Sequence, residues 1–213
     1  MQVNDILFFS PFVLAFFVIW AYLKKGMAKQ TKLNEIWREF ADLKGLQEQP
    51  TDHGTILLFH GKSQNLPFVL KCFATEGTPM QVGKLKMKRG RGDHIKIFTQ
   101  IKVVLAGLPP GLRVYRETAW NKLGKVIGLQ DITTDDLLFD KKFIVKGIDP
   151  NKVLDYLTPT RRMALLKYAD DMQGLELMED GLVLLQPGQT DSVEKLNRYF
   201  SQLGLLASEL THS

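Results

Sequence analysis

Cysteine is almost missing from this chain: Cys72 is the only one in 213 residues. An intrachain disulfide is therefore excluded, and a lone thiol suits a reducing compartment. It falls in Val69–Phe73, a strand-like run where a small core residue is the expected role. The four histidines, His53, His60, His94 and His212, form no His-x-x-x-His pair. With no second cysteine they complete no zinc set. No Gly-x-Ser-x-Gly elbow, Walker loop or dinucleotide fingerprint occurs, so no motif implies a cofactor. Charge is missing from one end only. Residues 1–23 hold a single charged side chain, Asp5, and all 28 lysines and arginines follow position 23.

That asymmetry carries the first expectation. Ile6–Leu23 is uncharged throughout. As a helix it would span roughly 27 Å, close to a bilayer's hydrocarbon core. Trp20 and Tyr22 stand at its end, as interfacial aromatics do. The start lacks a basic n-region and the end lacks a small-residue cleavage site, so it does not read as a signal peptide. Residues 1–23 are expected to form a single transmembrane anchor, and 24–32 a basic juxtamembrane linker. Lys24, Lys25, Lys29 and Lys32 precede the first acid, Glu35. The positive-inside rule then places residues 33–213 in the cytoplasm and the whole protein at the inner membrane.

The remainder reads as an α+β domain, mostly antiparallel sheet with flanking helices. Two lobes meeting near residue 130 are an alternative to one compact unit. Leu33, Ile36, Trp37, Phe40 and Ala41 recur at helical spacing, and Gly45 ends that helix. Residues 54–116 read as strands, most clearly His94–Leu105, where apolar and polar residues alternate. Phe139–Gly147 reads as another strand. Asp149-Pro150 and Thr158-Pro159 are helix starts, and Asp191 with Glu194 is the cap expected for the last helix. Leu175–Met178 and Leu182–Gln186 flank an Asp-Gly turn as a hairpin. The last helix places Val193, Leu196, Phe200, Leu203, Ala207 and Leu210 on a heptad seam, which offers a route to a homo-oligomer.

Two clusters stand out as sites. Lys84, Lys86 and Lys88 alternate with apolar residues and would share one strand face, extended by Arg89, Arg91 and Lys96. With Lys24, Lys25 and Lys29, they are candidates for contact with anionic lipid headgroups or an acidic protein. Nucleic acid is disfavoured, because only Phe98 is near enough to stack on a base. Asp131, Asp135, Asp136 and Asp140 form the densest acidic stretch. Hard divalent metals want convergent carboxylates, so these four are the metal candidates. No EF-hand spacing is present, and Asp and Thr also serve as turn and cap residues.

Gly128-x-x-Asp131, Thr134-x-Asp136-x-x-Phe139-Asp140-x-x-Phe143-x-Val145-x-Gly147 and Leu157-Thr158-Pro159 form a longer pattern. It resembles a motif of uncharacterised bacterial membrane-anchored proteins, in which a helix from Leu-Thr-Pro and a short hairpin follow. Here that hairpin is Gly174–Leu185. The resemblance covers about a third of the chain and implies a bacterial inner-membrane setting. It brings no activity and no catalytic residue. On physical grounds Phe139, Phe143 and Val145 supply core, while Asp131 and Asp140 order the loop. The expected function is a non-enzymatic interaction or scaffold domain at the cytoplasmic membrane surface. The alternatives are a metal-dependent enzyme using the Asp131–Asp140 loop, and a secreted or periplasmic binding domain.

Overall fold

The computed structural model describes residues 11–52, 54–75, 96–116 and 131–212, with the backbone alone for 11–19 and 22. Helix α1 (Pro11–Lys44) leads into β1 (Gln47–Glu48), β2 (Thr55–Ser63), β3 (Leu66–Thr75), β4 (Lys96–Val104) and β5 (Arg113–Tyr115). Then come α2 (Leu137–Lys142), β6 (Ile144–Lys146), α3 (Pro150–Tyr156) and α4 (Pro159–Ala169). The hairpin β7 (Leu175–Met178) and β8 (Gly181–Pro187) and helix α5 (Val193–Thr211) complete the chain.

The eight strands of the described residues join one antiparallel sheet in the order β1-β2-β3-β4-β8-β7-β5-β6. Strands from either side of residue 130 share it. Gln64 and Asn65 both adopt positive φ, which gives β2 and β3 the two-residue turn whose twist matches a hairpin. At the β7–β8 turn, Gly181 has φ 143°, and a Cβ there would lie 2.0 Å from the Val103 carbonyl oxygen. Only glycine fits where β4 passes so close.

Register places Leu57, Leu70, Cys72, Ile101, Val103, Leu182, Leu184, Leu177 and Val114 on one face of the sheet. All are buried. Helix α5 covers that face, packing on β4, β8, α4 and α1. Its Phe200 stacks on Phe68 at 3.9 Å and meets Phe40 edge-on at 5.5 Å. Leu196, Phe200, Leu203, Ala207 and Leu210, the heptad seam of this helix, are buried in the protein's own core. Its N-cap is Ser192, whose hydroxyl accepts from Lys195 N, rather than Asp191. The capping residues Asp149 and Thr158 open α3 and α4 as their sequences predict.

The N-terminus is where sequence and structure part. Among the described residues no helix is long and apolar enough to cross a membrane. Over these residues the fold is α+β without the expected transmembrane helix, and the single-pass and inner-membrane expectations are corrected with it. Pro11–Lys44 is one unbroken helix of 34 residues. It runs through both expected boundaries, after residue 23 and after residue 32. Residues 24–32 are helical because Lys, Met, Ala and Gln favour helix, and Gly26 costs only about 1 kcal/mol. Lys24, Lys25, Lys29 and Lys32 thus stand in the middle of a helix whose C-terminal part docks on the sheet. A second correction concerns Phe139–Gly147. Its first half is helix α2, because Asp136 caps it by accepting from Phe139 N, and only Ile144–Lys146 is strand.

Candidate functional site

The four aspartates of the 131–140 stretch each have a separate structural setting. Asp131 Oδ1 lies 2.9 Å from Lys146 Nζ, and the same two residues bridge at the sheet edge. Asp136 accepts from Phe139 N at 3.1 Å through one oxygen and from Arg162 Nε at 3.2 Å through the other. The Phe139 amide first, and then Arg162, hold its carboxyl below the usual range. Asp140 accepts from the backbone N and from Oγ1 of Thr134, at 3.1 and 2.8 Å. Asp135 supplies the turn itself, with φ 59°. Among the described residues, no group of three or more His, Cys, Asp or Glu side chains could hold a metal ion.

The arginines that follow complete this scaffold. Arg162 Nη1 donates to the Leu157 carbonyl at 2.8 Å, and Arg161 donates to the Tyr156 and Leu210 carbonyls. Together they tie the ends of α3 and α5 and the cap of α2 to the first turn of α4. Neither arginine was singled out from sequence. The only signal was their place just after Thr158-Pro159, where helix-start residues turn back on the preceding chain. Phe139, Phe143 and Val145 are buried, with the two rings 4.9 Å apart. The motif therefore builds core and ties loops. Cys72 is equally inert: burial pushes its thiol up to about 12, so almost no thiolate exists near neutrality.

The basic candidates divide. Lys84, Lys86, Lys88, Arg89 and Arg91 lie outside the described residues. Lys24, Lys25 and Lys29 are described, exposed, and carried by α1. Along that helix two rows recur at heptad spacing: 23, 30, 37 and 20, 27, 34, 41. Residues seven apart share a helix face to within about 20°. In the C-terminal half these rows face the body. Trp37 is 0% exposed and Ala41 1%. Trp37 Nε1 donates to the Thr190 carbonyl at 2.8 Å. Thr190 is fixed in turn by its backbone N and hydroxyl on the buried Thr99 hydroxyl, at 2.9 and 3.1 Å.

One turn earlier the contact changes to amides. Gln30 donates to Gln189 at 2.8 Å and to Asn34 at 3.0 Å, and Gln189 donates to Asn34 at 3.1 Å. Beyond this lock the rows continue uncovered. Met27 is 64% exposed, Leu23 60% and Trp20 51%. A hollow along this stretch is lined by Leu23, Gly26 and Met27 together with Lys25, Lys29 and Lys32. Lys24 Nζ sits over the Trp20 ring at 5.0 Å. Sequence reading credited Trp20 to a membrane span and did not see Leu23 and Met27 as a continuation of the docking face. The signal in sequence was partial, since Gln30 and Asn34 interrupt the apolar rows between 20 and 41. Comparison with protein-family models, with curated proteins and with solved structures finds no match for this chain.

Proposed function

We propose that this chain is a non-enzymatic interaction module. Its α+β body holds α1 in place, and the stretch Trp20–Lys32 engages an anionic partner. One observation carries this reading. The rows that bury Trp37 and Ala41 against the body continue past it as the exposed side chains of Met27, Leu23 and Trp20. Large apolar side chains left uncovered in a row, rather than singly, mark a contact surface. The surrounding charge is of one sign, because no acid occurs between Ile6 and Asn34 while Lys24, Lys25, Lys29 and Lys32 do. Opposite charge on the partner would steer and orient the encounter.

A photo-crosslinking residue at position 23, compared with one at exposed Asn197 on α5, tests the reading in cells. A specific adduct at 23 that fades at high salt, with none at 197, is the expected result. Equal labelling at the two positions, or none at 23, removes it.

A further inference from the structure

We propose that the anionic partner is a surface of phospholipid headgroups, on which α1 lies in the plane through Trp20, Leu23 and Met27. This rests on the reading of α1 as the binding element and names what it binds. The distribution of charge around the helix decides between partners. At 100° per residue, Leu23 and Met27 define the apolar side, and Lys25, Lys29 and Lys32 fall on the opposite side. Lys24 stands at the boundary, over the ring of Trp20. A partner helix laid on the apolar row touches one side of α1 and leaves three of the four lysines out of reach. A second copy laid on the same row leaves those three lysines unpaired as well, and the stretch holds no acid to meet them.

A headgroup layer meets both requirements. A helix lying in the interface buries its apolar side at the acyl boundary and keeps a lysine-rich side in the headgroup zone. Lys24 at the boundary reaches the phosphates directly, and the three lysines opposite are drawn by the layer's negative potential, which extends about a Debye length. Tryptophan is the aromatic that settles at that level. The described row of exposed side chains, from Trp20 to Met27, runs for about two turns.

The full chain is tested by co-sedimentation with vesicles of phosphatidylcholine alone and of phosphatidylcholine with phosphatidylglycerol. Binding to the anionic vesicles is expected, with roughly a hundredfold loss or more in K24Q/K25Q/K29Q/K32Q. All four positions are exposed, and circular dichroism confirms that the variant is folded. Brominated lipids fix the depth. Tryptophan emission should be quenched more by bromine near the headgroups than by bromine at the chain end, and W20F should lose that quenching. Equal binding to neutral vesicles, unchanged binding by the lysine variant, or stronger quenching from the chain end would overturn the proposal. Retention on immobilised polyglutamate without vesicle binding would overturn the lipid assignment alone and leave the anionic-partner reading standing. Binding to neither would end both.

Discussion

The stretches 131–146 and 20–32 both mix charged and apolar residues, and the aspartates and phenylalanines of the first and the lysines and apolar row of the second have opposite fates. In the first, Asp131, Asp136 and Asp140 each bind a group of the protein itself, and Phe139, Phe143 and Val145 are buried. In the second, Trp20, Leu23 and Met27 face outward and the lysines around them are exposed. What separates structure from contact surface is therefore whether a residue's partner lies within the same fold. A half-buried carboxylate with two donors is already satisfied within the fold. An exposed apolar row has not, because covering it would still release water.

Substitutions can break that contrast, and the largest effects belong to the internally paired groups. Phe139→Ala and Trp37→Ala should each destabilise by about 3–5 kcal/mol in urea titration. Trp37 has the further loss of its bond to the Thr190 carbonyl. Trp20→Ala should change stability by no more than about 0.5 kcal/mol. A Trp20 effect as large as that of Trp37 would show that the outer row is packed after all. Asp140→Ala removes the acceptor for two donors of Thr134, a buried residue. It should destabilise by about 1–3 kcal/mol, whereas Lys25→Gln should leave the urea midpoint unchanged.

Acid sharpens the same contrast. Because the folded state holds the Asp136 carboxyl below its usual range, its contribution is fully present above the ordinary carboxylate pKa. It is lost as pH falls through the lowered one. Asp136→Asn should therefore flatten the decline in thermal midpoint on the acid side. The smallest expected effect is that of metal. Magnesium, calcium or manganese at millimolar concentration should move the thermal midpoint by less than about 1 °C. A rise of several degrees would mean that the aspartates of 131–140 bind metal in addition to their structural partners.

Much of the fold was legible because its signals are local. The alternation of His94–Leu105 appears as β4, and Thr158-Pro159 opens α4 through a hydroxyl bonded to Arg161 N. The Asp180-Gly181 turn reads directly, since its glycine sits where β4 admits no Cβ. Phe139–Gly147 misled because its apolar spacing suits either a strand or a short helix, and the cap from Asp136 decides for helix over its first half. The α1 error has a related cause. Absence of charge over Ile6–Leu23, the aromatics at its end and the lysines beyond it point to a span and a linker, whereas the helix runs on through Lys24 and Lys25 to Lys44. Of the candidate site, Lys24, Lys25 and Lys29 were read from charge. Leu23 and Met27 were missed, because exposure depends on what else packs nearby.

By itself the sequence determined the mixture of helix and antiparallel strand, the caps of α3 and α4, the hairpin turns and the concentration of positive charge after residue 23. Those depend on neighbours within a turn or two, where side-chain chemistry and backbone geometry act directly. Tertiary structure alone decided which side of α1 is covered and where the cover stops. Trp37 is buried because Thr190, 153 residues away, presents a carbonyl to it. Met27 is exposed because nothing among the described residues covers it beyond the amide lock at Gln30. Burial is a property of distant chain segments brought together, and no local pattern encodes it.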